Sequence, residues 1–427
     1  MRILHTSDWH LGVSTGPSSR LQEQQWFVDW LLDLLSKRLI DVLVIAGDIF
    51  DTMHPSAEAQ ALYFRFLAGV GATGVRDVVV VGGNHDSPSR LDAPRALLRA
   101  VNVHVTGGVP TGDERAERMI VPVRRRGEDD VAAVCVAVPY VHEYRLGIRT
   151  SDLDQEQTRE AFREAFAELY TSLVDEAERR YPGLPVFGTG HLTMGADVTP
   201  RDYPQAIHQV GTIDSLPTEL LDPRLQYVAL GHIHRCYKIH GTRAWYSGTP
   251  VAYSLAEMEV DREVLVVELR DHAMAKVEPV PVPRWRALLQ VVGSPESVLA
   301  QLAGLSWSTP LPPLVHVRVL TQMAEPGLVR RLHEAMPSRD GSRPVLVEVR
   351  QQAERVDVAT PKLDLPALDQ LGPEQVFGLM CDGAQLGGKD RLELEQAFRQ
   401  VASASHDVLQ QMLADIELPA SAGGGAQ

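Results

Sequence analysis

The sequence predicts an α/β fold built in layers. Three observations predict it: short apolar runs of strand character, amphipathic helical patterns between them, and polar residues gathered where the runs end. At 427 residues the chain exceeds one ordinary domain, and two or three are expected. Apolar residues make up 44% and charged residues 23%, which leaves ample core.

MRIL reads as a short first strand with no leader before it. RLQEQQWFVDWLLDLLSKRL (20–39) then puts Phe27, Trp30, Leu31, Leu34 and Leu35 on one helix face. DVLVIAG (41–47), DVVVVGG (77–83), VAAVCVAV (131–138), VFGTG (186–190) and YVALG (227–231) have the character of buried strands. QEQTREAFREAFAELYTSLVDEAERR (155–180) repeats the helical spacing with Phe162, Phe166, Leu169 and Leu173. WYSG (245–248) and EVLVVEL (263–269) add later strands, and the proline-rich VEPVPVPRW (277–285) marks a linker or domain edge.

A small α+β unit follows. It comprises RALLQVVG (286–293), SPESVLAQLAGL (294–305) with Ser294 as helix cap, LVHVRVLT (314–321), GLVRRLHEAM (327–336) and PVLVEVR (344–350). RVDVATPKLDLPALDQ (355–370) reads as an extended linker, because Pro361 and Pro366 disfavour helix. PEQVFGLM (373–380) and KDRLELEQAFRQVASASHDVLQQMLAD (389–415) return to helix, and the tail ASAGGGAQ is expected to be disordered. The expected domains are 1–276 and 285–352, then a linker at 353–370, a helical segment at 371–416 and a tail at 417–427.

The net charge of -15 argues against a passive, uniformly basic nucleic-acid binder. It does not exclude a nuclease, since metal ions neutralise carboxylates where phosphate must approach. Cys135, Cys236 and Cys381 show no CxxC spacing, which points to a reducing compartment without a disulfide framework. No apolar run reaches the roughly 18 residues that cross a membrane, so no membrane role and a cytoplasmic location are expected.

The chemistry lies at the strand exits. The first delivers Asp8 and His10, the second Asp48 and Asp51, and the third Asn84, His85 and Asp86. Two later exits deliver His191, then His232 and His234. Ligands of α/β folds gather at the carboxyl ends of strands, so the set predicts one shared metal centre. Mixed oxygen and nitrogen donors without thiolate suit manganese, iron or zinc more than calcium or an all-oxygen magnesium cage. Asp8, His10, Asp48, Asn84, His191, His232 and His234 are too many for one tetrahedral ion but suit two ions sharing a carboxylate. Two ions about 3.5–4 Å apart stabilise both the attacking and the leaving oxygen at phosphorus, so phosphoester hydrolysis is the reaction implied.

D-x-H, GD-xx-D, GNHD, a lone H and GHxH, in that order, resemble the calcineurin-like metallophosphoesterase superfamily over roughly residues 1–270. HTSDWHLG, AGDIFD, GNHDSPSRL and ALGHIHR are similar to the SbcD family of DNA-repair nuclease subunits. The resemblance implies a layered β-sandwich core flanked by helices, a small capping domain that contacts DNA, and C-terminal helices. It implies a two-metal, manganese-dependent nuclease of DNA repair and recombination. Such an enzyme works as a 3′–5′ double-strand exonuclease and a single-strand or hairpin endonuclease, beside an SbcC-like coiled-coil ATPase. One ion would be held by Asp8, His10, Asp48 and His234, and the other by Asp48, Asn84, His191 and His232. His85 would stand beside the phosphate, as stabiliser or proton donor. Asp86 would orient a neighbouring histidine, and Asp51 would support the site where certain relatives carry a catalytic histidine. Whether His54 replaces that histidine is open. The stretches 57–70 and 90–101 resemble dimer-forming helices, although Leu62, Phe66, Leu97 and Leu98 fit a monomer core equally well.

Several features have plainer readings. His5, His104, His142, His208, His240 and His406 lie outside the motifs and read as solvated or satisfied in the core. RRR at 124–126 reads as a solvated loop, and the sequence does not decide whether Trp9 packs under the site or faces substrate. GAQLGGKD (383–390) fits the start of a phosphate loop, but Asp390 stands where Ser or Thr must meet magnesium, so no ATP site is expected. The rival function is a two-metal phosphodiesterase or phosphatase for a small non-DNA substrate. A non-enzymatic scaffold is disfavoured because all seven ligands and His85 are present.

Overall fold

Two six-stranded sheets form the centre of the computed structural model, which describes residues 1–112, 114–148, 153–195, 215–258, 260–270, 275–321 and 326–352, with positions 377, 378, 381, 388, 391, 392 and 394–399. The first sheet has the order Lys276–Pro281, Glu263–Glu268, Arg2–Thr6, Val42–Ala46, Asp77–Val81, Val103–Thr106. Its last four strands run parallel, and the first two are antiparallel additions. The second sheet has the order Tyr237–Lys238, Ala244–Tyr246, Val228–Gly231, Val186–His191, Val131–Val136, Ile120–Arg124, with antiparallel strands only at its edges.

Side-chain alternation explains why the strands read as unbroken apolar runs. Ile3, Val42, Val44, Val79 and Val81 face the second sheet, where they meet Val121, Val123, Ala133, Phe187 and Ala229. Their neighbours Leu4, Leu43, Ile45, Val78 and Val80 face the helices Leu21–Lys37 and Ala57–Thr73. On the second sheet Val134, Val136, Val228 and Leu230 face the helix Gln155–Arg180, which starts at an Asp154–Gln157 capping box. The layers are therefore helix, sheet, sheet, helix. All parallel strands that carry predicted ligands end on the same side.

The proline-rich stretch differs from expectation. Lys276–Pro281 is an edge strand paired with Glu263–Glu268, so the first domain runs past residue 276. Proline lacks an N–H for the ladder and is tolerated at a sheet edge, and Val280 and Val282 bury the strand's inner side. The small unit has three parallel strands, Leu288–Gly293, Leu314–Leu320 and Val345–Gln352, with helices Pro295–Ala303 and Leu328–Ala335. Val298, Leu302, Leu328 and Leu332 bury its core, and Ser294 accepts from the Ser297 N–H as the cap.

Leu62 and Phe66 are buried in the first core and Leu98 is buried beneath its own short helix, while Leu97 is 73% exposed. Arg124 is no solvated residue. It ends the edge strand Ile120–Arg124 and pairs with buried Asp77 at 2.6 Å. Residues 354–427 form a separate unit, in which Phe377 and Phe398 stack at 4.2 Å. The expected linker, the tail, His208, His406 and most of the helical segment and GAQLGGKD lie outside the described residues. No helix among the described residues is long and apolar enough to cross a membrane.

Phe187 is fully buried between the sheets. Phe187→Ala should lower stability by about 3–5 kcal/mol through the cavity it leaves. Urea denaturation measures it, and a loss below about 1 kcal/mol would mean that the inter-sheet layer collapses to fill the space.

Candidate metal centre

The two sheets each supply part of the site. Asp8 and His10 follow Arg2–Thr6, Asp48 follows Val42–Ala46, and Asn84 and His85 follow Asp77–Val81, all in the first sheet. His191 ends Val186–His191, and His232 and His234 follow Val228–Gly231, in the second. The ligand atoms of Asp8, His10 and His234 lie within 4.8 Å of one another, as do those of Asp8, Asp48 and His191. Asn84 Oδ1 joins them, 3.1 Å from His191 Nε2 and 3.0 Å from His232 Nδ1. All seven predicted ligands therefore meet at the seam of the sheets.

That meeting strains the backbone. Asp8, His10, Asp48 and His232 have φ of 54°, 44°, 49° and 96°, a region that costs side-chain-bearing residues of order 1–3 kcal/mol each. Glycines let the strand ends approach. A Cβ on Gly47 would lie 2.2 Å from His191 Nδ1, and one on Gly231 would lie 2.0 Å from the Ala46 carbonyl oxygen. His191 Nδ1 donates to that same carbonyl at 2.8 Å, which turns Nε2 toward Asp48 Oδ2 at 3.4 Å.

The electrostatics fit a divalent cation. Asp8 and Asp48 are buried, and no lysine or arginine pairs with either among the described residues. His10 Nε2 lies 3.1 Å from His234 Nε2 and 3.5 Å from Asp48 Oδ2. Burial opposes charge on His10, yet Asp51, Asp48 and Asp8 outweigh it and raise the imidazole to about 9. Burial also opposes charge on His191, and Asp48 raises it to about 9. His232, buried and facing His191, is held down to about 3. Burial pushes Asp48 upward, but His191 and His10 pull it well below the usual carboxylate range. Protons on His10 and His191 thus hold the place of a cation. These oxygen and nitrogen donors fit divalent metal ions.

Asp51 Oδ1 lies 3.5 Å from His10 Nδ1, and the backbone carbonyl of Asp51 accepts from His85 Nδ1 at 2.8 Å. A carbonyl only accepts, so His85 carries its proton on Nδ1 and leaves Nε2 for other partners. Asp86 departs from expectation. Its carboxylate accepts from the N–H groups of Ile49, Phe50 and Gly83, and so ties two loops together instead of orienting a histidine. Burial and the nearby Asp48 charge push it up to about 6. His54 is exposed and belongs to none of the clusters among the described residues. Trp9 is fully buried beneath the site against Phe27 and Phe66, and His5 is buried on the Tyr227 hydroxyl.

The structure adds residues that the sequence did not show. Buried Glu257 accepts from His234 Nδ1 at 2.8 Å, fixing that imidazole as carboxylate partners of metal-binding histidines do. Arg262 holds the His234 carbonyl at 2.7 Å and the Glu257 carbonyl at 2.9 Å. Gln24 Nε2 donates to the His10 carbonyl at 2.8 Å, its Oε1 accepts from Gly12 N–H at 3.0 Å, and the Tyr253 hydroxyl donates to the Trp9 carbonyl. The only sequence signal near Glu257 is the S-L-A-E spacing of a capping box, which reads as a helix start and hides the histidine contact.

Comparison with known proteins agrees with this geometry. Residues 1–236 match the calcineurin-like phosphoesterase family. The SbcD component of the SbcCD nuclease of Rhodobacter capsulatus is 34% identical over 312 residues, which cover 72% of this chain and 76% of that protein. Its counterpart in Escherichia coli K12 is 30% identical over 410 residues, covering 93% and 97%. The counterpart in Bacillus subtilis is 32% identical over 370 residues, covering 84% and 89%.

Two outcomes follow from the site. Glu257→Gln keeps the shape but removes the charge behind His234, and should weaken divalent-ion affinity about 10- to 100-fold in titration calorimetry. Unchanged affinity would leave Glu257 a packing residue. The second concerns pH. His10 and His191 are raised from 6.5 to about 9, so their stabilisation of the metal-free fold is complete below pH 6.5 and is lost as pH climbs through about 9. Affinity for Mn(II) should rise across the same window, because the ion displaces those protons. Denaturation of chelator-treated protein and metal titration should therefore slope in opposite directions. Parallel slopes would show that protons and metal do not compete.

Proposed function

The chain belongs to the calcineurin-like phosphoesterase family, in its SbcD branch, and from that premise we propose that it is the metal-dependent nuclease component of an SbcCD-type complex, hydrolysing phosphodiester bonds in DNA. The single observation that carries this reading is the convergence of seven oxygen and nitrogen donors, with His85 beside them, where two sheets meet. Asp8, His10, Asp48 and His234 would hold one ion, and Asp48, Asn84, His191 and His232 the other, Mn(II) in both cases. Bound ions supply Lewis acidity at the phosphate and bring the ionisation of water near neutrality.

The chain's own residues do the rest. Asp48 faces both halves, with Oδ2 near His10 and His191 while Oδ1 accepts from the His85 N–H at 2.9 Å. His85, its Nδ1 proton fixed on the Asp51 carbonyl, offers Nε2 to move a proton at the phosphate or leaving oxygen. The unit 285–352 caps the site. A cleft of about 250 Å³ separates Tyr253 and Ser254 from Gln290, His316, Arg318, Glu348 and Arg350 on its open sheet face. Glu348 pairs with Arg350 at 2.6 Å, and Arg318 offers a cation to a phosphate backbone.

Exposed Leu392 and Leu394 support docking of the C-terminal helices on an SbcC-like ATPase, and exposed Leu97 and Val101 support a homodimer. Three free cysteines are consistent with a cytoplasmic setting.

Purified protein with Mn(II) should release label from 3′-labelled linear duplex, and chelator should stop it. His85→Ala should slow cleavage about 10²- to 10⁴-fold while DNA binding in a mobility-shift assay persists. Hydrolysis of a small aryl phosphodiester with DNA left intact, even beside the ATPase partner, would refute the DNA substrate.

A further inference from the structure

A run of aromatic rings leaves the metal centre on the side of the second sheet. The loop after Val131–Val136 carries Tyr140, His142 and Tyr144, and the Tyr140 N–H donates to the Gly82 carbonyl at 2.8 Å, which ties the loop to the strand exit that holds Asn84. The Tyr140 ring stands edge-on to His191 at 6.4 Å and to His142 at 4.8 Å. His142 and Tyr144 are near parallel, 25° apart at 5.3 Å. Val141, Leu146 and Ile148 pack on the core, and Gly147, at φ 78°, closes the turn Glu143–Leu146. The rings are thus mounted on a fixed base. Tyr140 is half-buried, whereas Tyr144 is 65% exposed with the Arg145 guanidinium carbon 5.3 Å from its ring centroid.

An exposed, backed aromatic ring beside a cation has the chemistry of a stacking surface for a nucleobase and its phosphate. We propose that Tyr144, backed by His142 and accompanied by Arg145, receives one unstacked base of the strand whose phosphodiester lies at the metal centre. The proposal rests on the nuclease reading and names its substrate class: single-stranded or frayed DNA. A duplex keeps its bases stacked on each other and has none to offer. Three ring-to-ring steps separate His191 from Tyr144, so the captured base lies within roughly five nucleotide steps of about 3.4 Å from the scissile bond. The platform recognises a π-face, which all four bases present, so it tolerates any of them.

The test walks one abasic site through the first five positions on each side of the scissile bond of a single-stranded oligonucleotide. Full-length protein is used, and binding is read by fluorescence anisotropy beside cleavage with Mn(II). For the wild type, one or two positions should weaken binding about five- to hundredfold when the base is removed. Tyr144→Ala should lose the same factor on the intact strand and lose nothing more when that base is missing, whereas Tyr144→Trp should keep the wild-type preference. Wild-type indifference to every abasic position, or a Tyr144→Ala variant that still discriminates, would overturn the platform. Base-dependent binding without cleavage of any DNA would instead overturn the nuclease reading and leave the platform standing.

Discussion

Asp48 is the group on which the rest of the structure depends. Its carboxylate is buried at the seam of two sheets, reaching histidines from both, while its own backbone is held at φ 49°. A buried carboxylate needs a nearby cation, and the fold supplies protonated imidazoles when no metal is bound. Neither the strain nor the desolvation is relieved locally. Both are offset by apolar layers on each side of the sheets, where each fully buried Val, Leu, Ile or Phe contributes about 1.5–3 kcal/mol. The core therefore stabilises a site that would not assemble by itself. This is why glycine precedes Asp48 and His232: any side chain there would drive the strand ends apart and separate the ligands.

A chain of buried contacts also links the cap to the first ligands. Glu23, buried, accepts from Arg20 at 2.6 and 2.8 Å and pairs with Arg286, at the entrance to the cap, at 2.8 Å. Its neighbour Gln24 holds the carbonyl of His10. The hairpin after His10 reaches the cap as well, since a Cβ on Gly16 would lie 2.6 Å from the Val347 carbonyl oxygen. Tyr253 binds the Trp9 carbonyl and also lines the cleft under the cap's open sheet face. A buried carboxylate between two guanidiniums is costly to break, so displacement of the cap would load the segment that carries Asp8 and His10. The small unit and the segment that carries the first candidate ligands are thus continuous through buried contacts.

The seven candidate ligands were legible in the sequence because local rules place them: each ends or closely follows a parallel strand, and a glycine directly precedes Asp48, Asn84, His191 and His232. Glu257, Gln24 and Tyr253 were not, because each reaches its ligand segment across the fold and no fixed spacing announces the contact. Asp86 was visible as a polar residue of the site, but its role was misread. A short side chain two residues from Asn84 finds the orphan N–H groups of two loops before it finds an imidazole. The prolines at 277–285 suggested a break because their cost in a sheet depends on whether the strand has an outer neighbour, and edge position is a property of topology. Leu62 and Phe66 could be assigned to core or interface only once their helix had a sheet beneath it.

The net charge of -15 looks unfavourable for an enzyme that holds DNA, but net charge acts over distance and cleavage is decided nearby. Salt screens exposed charges beyond about 8–10 Å, so the chain's overall acidity reaches a bound strand only weakly. The charges proposed to meet the strand are local: Arg318 on the open sheet face of the small unit, Arg145 beside the aromatic rings, and a buried cluster that divalent ions would make positive. Without those ions, protons on His10 and His191 balance the carboxylates, and the cluster has no net attraction for phosphate. Metal binding would therefore prepare the site twice, by supplying the Lewis acid and by giving the cluster the net positive charge that a phosphate needs.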